Sequence, residues 1–311
     1  EFKSSDMKNW EHVCKIKMIW DRMLECPDVF EMGGKWYMVY SEAVGAVWSR
    51  KVKYMMGNSW DDLKAQFNDG PKWPDVREGR LDSRAFYAGK TASNGTDRFI
   101  WGWCPERPNG DNANVGNGSE GQGNEPMWSG ALVCHKIAQN PDGTLYLTAV
   151  PAMASKYNKE AEVKVMAKGD NYTLYNRLGN HNHISFTVKV ANKDDKFGVS
   201  FGRGTDAKNF VTLKFNNPHW DEWNKHLRRV EYYVGNGEED KFIDGADGDF
   251  YPFAEDNTYN IDIYTDNSVV VMYVNGTGCM TSRIYGIQKN CWSINSYAAG
   301  VEVSNVKVSQ Y

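Results

Sequence analysis

The sequence predicts an all-β protein of two domains, and three observations carry that prediction. Short aromatic and β-branched segments recur along the whole chain, bounded by Gly, Asn and Asp. Helical periodicity is weak everywhere except over residues 61–67, where a turn or two of helix is expected. The aromatic load is heavy, with 12 Trp and 17 Tyr in 311 residues, and such side chains suit strands and β-rich cores. The same rings also suit stacking against the apolar faces of sugars. A chain of this length has room for two domains of ordinary size.

Composition removes several function classes. A net charge of −4 leaves no basic footprint for nucleic acid or for an anionic membrane surface. No apolar run reaches the roughly 20 residues of a membrane helix, and no charged-then-apolar leader opens the chain. The expected location is extracellular, periplasmic or cell-surface, with any signal lying outside these residues. Six cysteines (Cys14, Cys26, Cys104, Cys134, Cys279, Cys291) show no C-x-x-C spacing, so neither a zinc site nor a redox pair is expected, and no cofactor is implied. Cys279 and Cys291 stand as either two thiols or one disulfide. Asn94, Asn117, Asn171 and Asn275 open Asn-x-Ser/Thr sites, relevant only where a secreted protein is glycosylated.

The first half carries the candidate chemistry. Glu25 lies in an apolar approach, just before Cys26-Pro27-Asp28, and a Gly33-Gly34 turn leads into the run 35–41. A carboxyl in apolar surroundings is favoured in its protonated form, as a proton donor near neutral pH requires. The bland alternative is a satisfied edge residue. Asp28 is not expected to partner Glu25, because residues three apart in a regular strand point to opposite faces. Residues 46–56 read as another strand, 70–74 as a Gly-Pro connector, and 82–88 as a strand with a turn at its start. Over 97–103 alternation puts Trp101 and Trp103 on one face, Ile100 and Gly102 on the other. Residues 105–126 are rich in Asn and Gly, longer than an ordinary connection, and are expected to form a rim over a cleft. They hold no phosphate-binding G-x-x-x-x-G-K-S/T motif. A strand over 128–137 contains His135, read as a satisfied strand residue rather than a catalyst. Asn140-Pro141-Asp142-Gly143 is a turn with a mechanism: Pro presets φ and Gly accepts positive φ.

Charge rises and the pattern loosens over 151–162, which places the boundary between a first domain, 1–152, and a second, 153–311. Alternating segments then recur at 184–190, 198–202, 210–215, 229–234, 259–264, 269–274 and 301–308, the signature of a β-sandwich. His181 and His183 share a strand face and would be half a metal site, but no third ligand follows at a readable spacing. The cluster 220–226 (Trp220-Asp221-Glu222-Trp223-Asn224-Lys225-His226) is either an accessory sugar patch or an interdomain contact.

Glu25-Cys26-Pro27-Asp28 with its hydrophobic approach resembles the acid/base segment of glycoside hydrolase family 32, the invertase, inulinase and levanase group. Asp82-Ser83-Arg84-Ala85-Phe86-Tyr87-Ala88, Arg98-Phe99-Ile100-Trp101-Gly102-Trp103 and Trp128-Ser129-Gly130-Ala131-Leu132 follow in that family's order. Residues 262–269 and 281–285 resemble its C-terminal sandwich. The resemblance implies the C-terminal part of a five-bladed β-propeller followed by a β-sandwich, and a carbohydrate substrate of the sucrose, inulin or levan type. It makes Glu25 the acid/base and implies sugar contacts from Asp82, Tyr87, Trp48 and Trp103, with no metal. Asp82 stands alternatively as a strand-entry cap, and Arg84 replaces the glycine of the family's pattern.

Glycosidic hydrolysis takes two carboxyl groups, about 5–5.5 Å apart in retaining enzymes. The family's nucleophile segment, Asn-Asp-Pro, and its Arg-Asp-Pro segment are both missing from these 311 residues. The expectation is therefore the later part of a propeller, with the missing part supplied as a separate segment or chain, or else a relative that binds sugars without cleaving them. A propeller acting on another furanoside, such as arabinan, is the remaining alternative.

Overall fold

Strands form wherever alternation is punctuated by turn residues. The computed structural model describes residues 1–16, 23–43, 51–69, 78–83, 85–113, 129–204, 210–218, 227–235, 242–245, 251–252 and 254–311. Within these, a short hairpin, β1 (Phe2–Lys3) and β2 (Glu11–His12), precedes two meanders. The first is β3 (Met23–Met32), β4 (Lys35–Ala43), β5 (Lys51–Gly57) and β6 (Glu78–Leu81). The second is β7 (Tyr87–Ser93), β8 (Arg98–Pro105), β9 (Gly130–Gln139) and β10 (Leu145–Thr148). Each is a four-stranded antiparallel sheet in simple sequential order, the arrangement of a propeller blade.

The β3–β4 link is a two-residue turn with φ +55° at Gly33 and +73° at Gly34, as a hairpin of the right-handed twist demands. Gly33 also leaves room for Gln139 of the next blade, whose amide donates to the Met32 carbonyl at 3.0 Å. The predicted helix appears as α1 (Trp60–Asp69), capped by the Ser59 hydroxyl, which accepts the Asp62 N–H at 3.0 Å. It buries Leu63 against Met38, Tyr40 and Met55.

A short helix, α2 (Pro151–Ala154), leads into the second region. Its first strands are β11 (Lys159–Ala161), β12 (Val165–Gly169), β13 (Tyr172–Arg177), β14 (His181–Val190), β15 (Phe197–Arg203), β16 (Val211–Pro218) and β17 (Leu227–Val234). Then come β18 (Phe242–Gly245), β19 (Tyr251–Pro252), β20 (Thr258–Asp266), β21 (Val269–Val274), β22 (Gly278–Arg283), β23 (Cys291–Ser296) and β24 (Val301–Gln310). They make a six-stranded sheet, β11-β24-β14-β20-β21-β22, and a larger one ordered β12-β13-β23-β15-β16-β17-β18 with β19 beside β17. Ile184, Phe186 and Val188 of one sheet meet Phe197, Val199 and Phe215 of the other in a single core. All seven segments expected in this half are strands. A second core is continuous across the two regions: Tyr273 and Cys279 of the sandwich pack with Ile100, Val133 and Leu147 of the blades.

Strand β3 is irregular, and that corrects one expectation. Glu25 pairs with Ser41 while Asp28 pairs with Val39, so three steps on β3 face two on β4. The extra residue is a β-bulge in which Cys26 sits at φ +52°. Ser41 and Val39 share a face, so Glu25 and Asp28 share it too, contrary to the strict alternation assumed from sequence. Pro27, which has no N–H to give a ladder, is accommodated in the bulge of an edge strand. Asp82, Ser83, Ala85 and Phe86 are also not strand: they lie in the connection between blades, and β7 starts at Tyr87.

Because Cys26 is exposed and left-handed, its substitution isolates backbone strain. Cys26→Val is expected to cost about 1–2 kcal/mol in urea unfolding, and Cys26→Gly to cost nothing or to stabilise slightly. A Val variant as stable as the parent would show that the bulge does not hold this conformation.

Candidate active site

The first strands of the two blades, β3 and β7, run beside each other, and three polar contacts join them. The Tyr87 hydroxyl donates to Glu25 Oε2. Lys90 Nζ donates to the Pro27 carbonyl at 2.8 Å, and the Thr91 N–H donates to Asp28 Oδ2 at 2.5 Å. Strand β7 carries its own bulge between Tyr87 and Lys90, with Ala88 at φ +55°. Two bulges thus face each other across the blade boundary. Without the one in β3, Asp28 would be turned away from Thr91.

Glu25 is half-buried at this junction, with its carboxylate oriented by Tyr87. Tyr87 is only 7% exposed, so its contribution to the site is the hydroxyl aimed at Glu25 rather than an open ring for stacking. Trp103 lies directly opposite Tyr87 on β8 and is half-buried. Trp101 and Trp103 are half-buried while Ile100 and Gly102 are buried, as the alternation predicted. Trp48, Arg84 and the cluster 220–226 lie outside the described residues, as do most of the expected rim, from 114 on, and the connector 70–74.

Asp82 is elsewhere than its expected sugar contact. Its side chain is fully buried, and it sits at φ +64° in the connection between the blades. Oδ1 accepts the N–H groups of Ser83 and Thr281, each at 2.6 Å. Oδ2 accepts the Thr281 hydroxyl at 2.5 Å and lies 2.8 Å from His135 Nε2. The Ser83 hydroxyl donates to the Thr281 carbonyl at 2.5 Å, and His135 Nδ1 faces the Tyr273 hydroxyl at 2.8 Å. The carboxylate is thus spent on joining a blade connection, strand β9 and the sandwich edge strand β22. Burial alone would raise its pKa, but the hydrogen bond and charge of His135, with Thr281 and Ser83, hold it below the ordinary carboxylate value.

His135 is the satisfied strand residue the sequence suggested, and its partner is 53 positions away in sequence from the ring itself, with others beyond 130. Asp82, His135 and Cys279 also form a buried trio within ligand distance of one another. It does not suit a metal ion: Nε2 is engaged by Asp82, and Cys279 Sγ lies on the opposite nitrogen, 3.7 Å from Nδ1. All six cysteines are free thiols, so Cys279 and Cys291 are not bridged. His181 and His183 each pair with a carboxylate across β20, His181 with Asp266 at 3.1 Å and His183 with Asp262 at 2.7 Å.

A second polar seam closes the domain junction. Arg283 Nη2 donates to the Cys104 carbonyl at 2.5 Å, and Arg107 Nε donates to the Arg283 carbonyl at 2.9 Å. No helix among the described residues is long and apolar enough to cross a membrane.

Two sequential four-stranded blades followed by a two-sheet sandwich make a propeller-and-sandwich architecture. The family model for the glycosyl hydrolases family 32 N-terminal domain matches residues 2–136, and that for the GH32, BT1760-like, C-terminal domain matches residues 143–308. The chain belongs to glycoside hydrolase family 32. Among solved structures it is similar to a Bombyx mori GH32 β-fructofuranosidase (16% identity, TM-score 0.63, covering 99% of this chain and 59% of that one). An exo-inulinase from Aspergillus awamori matches at 15% identity and TM-score 0.65, covering 99% and 60%. A β-fructofuranosidase from Schwanniomyces occidentalis complexed with fructosyl-erythritol matches at 15% identity and TM-score 0.60, covering 99% and 64%. The chain therefore spans about three fifths of the length of these structures, and the likeness establishes the fold: the later part of a five-bladed propeller and its sandwich. No curated protein matches the sequence.

Removing the Asp82 charge leaves His135 and two N–H groups facing a neutral partner. Asp82→Asn is expected to lower unfolding free energy by about 3–5 kcal/mol, measured by urea titration. Because the folded pKa is depressed, the Asp82 contribution is complete above about pH 4 and lost as pH falls through the lower folded value. The stability difference between parent and variant should shrink on acidification below about pH 4; a difference constant with pH would contradict the charged assignment.

Proposed function

We propose that the protein takes part in retaining hydrolysis of fructosyl linkages in sucrose, inulin or levan, with Glu25 as the acid/base. The observation that carries this reading is the Glu25 carboxylate, half-buried at the junction of two blades and held by the Tyr87 hydroxyl. Glu25 first donates its proton to the leaving oxygen and then takes one from the attacking water, and a fixed rotamer serves both steps. Tyr87 is a positioning residue, and Trp103 beside it offers an aromatic wall.

Asp28 is not the second carboxylate. The bulge turns it to the face of Glu25, but its Oδ2 is bound to the Thr91 N–H. A nucleophile in the Asn-Asp-Pro setting of the family would come from polypeptide outside these 311 residues. The second reading is that the chain binds fructosides without cleaving them.

The two readings part in one assay. Fructose released from sucrose, inulin or levan by the chain together with the polypeptide that supplies the nucleophile supports hydrolysis, whereas fructan binding by that same preparation without release supports the binding module. Arabinose release from arabinan with none of fructose would contradict both. In an active preparation, Tyr87→Phe is expected to lower kcat about tenfold to a hundredfold with little change in KM, the loss of one hydrogen bond to a charged group. A rise in KM at unchanged kcat would instead make Tyr87 a sugar-binding residue.

A further inference from the structure

Ser41 is fully buried, and its hydroxyl has no hydrogen-bond partner. Such orphans are rare in folded proteins, because each one bears its desolvation without return. Its position in the ladder suggests a use. Ser41 lies directly opposite Glu25 in the pairing of β3 with β4. The two side chains therefore leave the same face, with Cβ atoms about 4.5–5.5 Å apart, within reach of a glutamate carboxyl. Val52 of β5 follows on that face, and β7 lies directly against it: a Cβ added to Gly89 would stand 3.1 Å from Val52 Cγ1. The hydroxyl is thus shut away from water with the Glu25 side chain across the ladder from it.

Glu25 needs help to be an acid near neutral pH. An ordinary glutamate is ionised there, and a half-buried carboxyl keeps part of its hydration. The Tyr87 hydroxyl donates to Oε2, a bond that a carboxylate accepts more strongly than a carboxylic acid does. A hydrogen bond made to the neutral form alone would offset both effects. A protonated carboxyl has one O–H to donate, and a serine oxygen has lone pairs to receive it. Resting on the assignment of Glu25 as the acid/base, we propose that Ser41 is a positioning residue for its proton: Ser41 Oγ accepts the O–H of the protonated carboxyl at Oε1. The proton then passes from Oε1 to the leaving sugar oxygen, the electron pair stays on the Glu25 carboxylate beside Tyr87, and the Ser41 hydroxyl is left unpaired, as in the structure. The other titratable groups around this face, among the described residues, are engaged elsewhere. Asp28 holds the Thr91 N–H, Lys90 the Pro27 carbonyl, and Arg98 lies over the Phe30 ring at 4.2 Å. Asp82 is held by Thr281 and His135, Cys26 is exposed, and Glu42, on the opposite face of β4, pairs with Lys53 at 2.7 Å.

One arm of the test needs no turnover and uses the chain itself. A bond made only to the neutral carboxyl contributes at low pH and is lost as pH rises. Ser41→Ala is therefore expected to have a urea midpoint equal to or above that of the parent at pH 8, and below it at pH 4. The other arm uses the fructose-releasing preparation. Ser41→Ala is expected to move the alkaline limb of kcat/KM on sucrose by at least about half a pH unit toward lower pH, and Ser41→Thr, which keeps the hydroxyl, to leave it in place. On fructosyl fluoride, whose leaving group needs no proton, Ser41→Ala should leave the limb unmoved. A midpoint order that is the same at pH 4 and pH 8, a sucrose limb that stays in place in Ser41→Ala, or equal displacement on the two substrates would each overturn the proposal. Equal losses for Glu25→Gln on sucrose and on the fluoride would instead overturn the acid/base assignment on which it rests.

Discussion

One extra residue in strand β3 decides where the carboxylates of this protein go. A regular strand would send Glu25 and Asp28 to opposite faces. The bulge at Cys26-Pro27 turns both inward, and the matching bulge in β7 brings Tyr87, Lys90 and Thr91 to meet that segment. The two acids then have different tasks because they have different partners. Asp28 holds a backbone N–H and fixes one blade to the next, while Glu25 keeps a half-buried carboxylate oriented by the Tyr87 hydroxyl. The strained φ values at Cys26 and Ala88 are sustained because the surrounding ladders leave the chain no other register.

The second constraint is the buried Asp82 carboxylate, which takes four hydrogen bonds at the meeting of blade connection, blade strand and sandwich. A charge sealed from water is tolerable only when fully partnered, and here His135 and Thr281 provide that. The sandwich is thereby fixed against the propeller by directional polar bonds as well as by the shared core of Ile100, Val133 and Tyr273. Such a junction also holds the blade connection that leads into β7 and Tyr87.

Much of the fold was legible because its elements obey local rules. The Gly33-Gly34 hairpin, the short helix around 61–67, the Asn140–Gly143 turn and the seven sandwich strands each announce themselves in a few adjacent residues. Strand β22 did not, since Gly278–Arg283 is buried at every position and shows no alternation. The bulge was missed because a left-handed residue there is Cys rather than Gly, and strict period-two reading then inverts Asp28. The role of Asp82 was invisible for another reason: Thr281 lies 199 positions on, and no spacing in the sequence reports that contact. Glu25 and Tyr87 were both named from the sequence, but their contact, 62 positions apart, emerges only in the fold.

The central claim is that Glu25 supplies the proton to the departing sugar oxygen. It is tested most directly by comparing Glu25→Gln on sucrose and on fructosyl fluoride, whose leaving group needs no proton, in the fructose-releasing preparation with azide as the acceptor. The account predicts a loss of about 10²–10⁴-fold on sucrose and less than about tenfold for fluoride release. Equal losses on the two substrates, or no loss on sucrose, would contradict it.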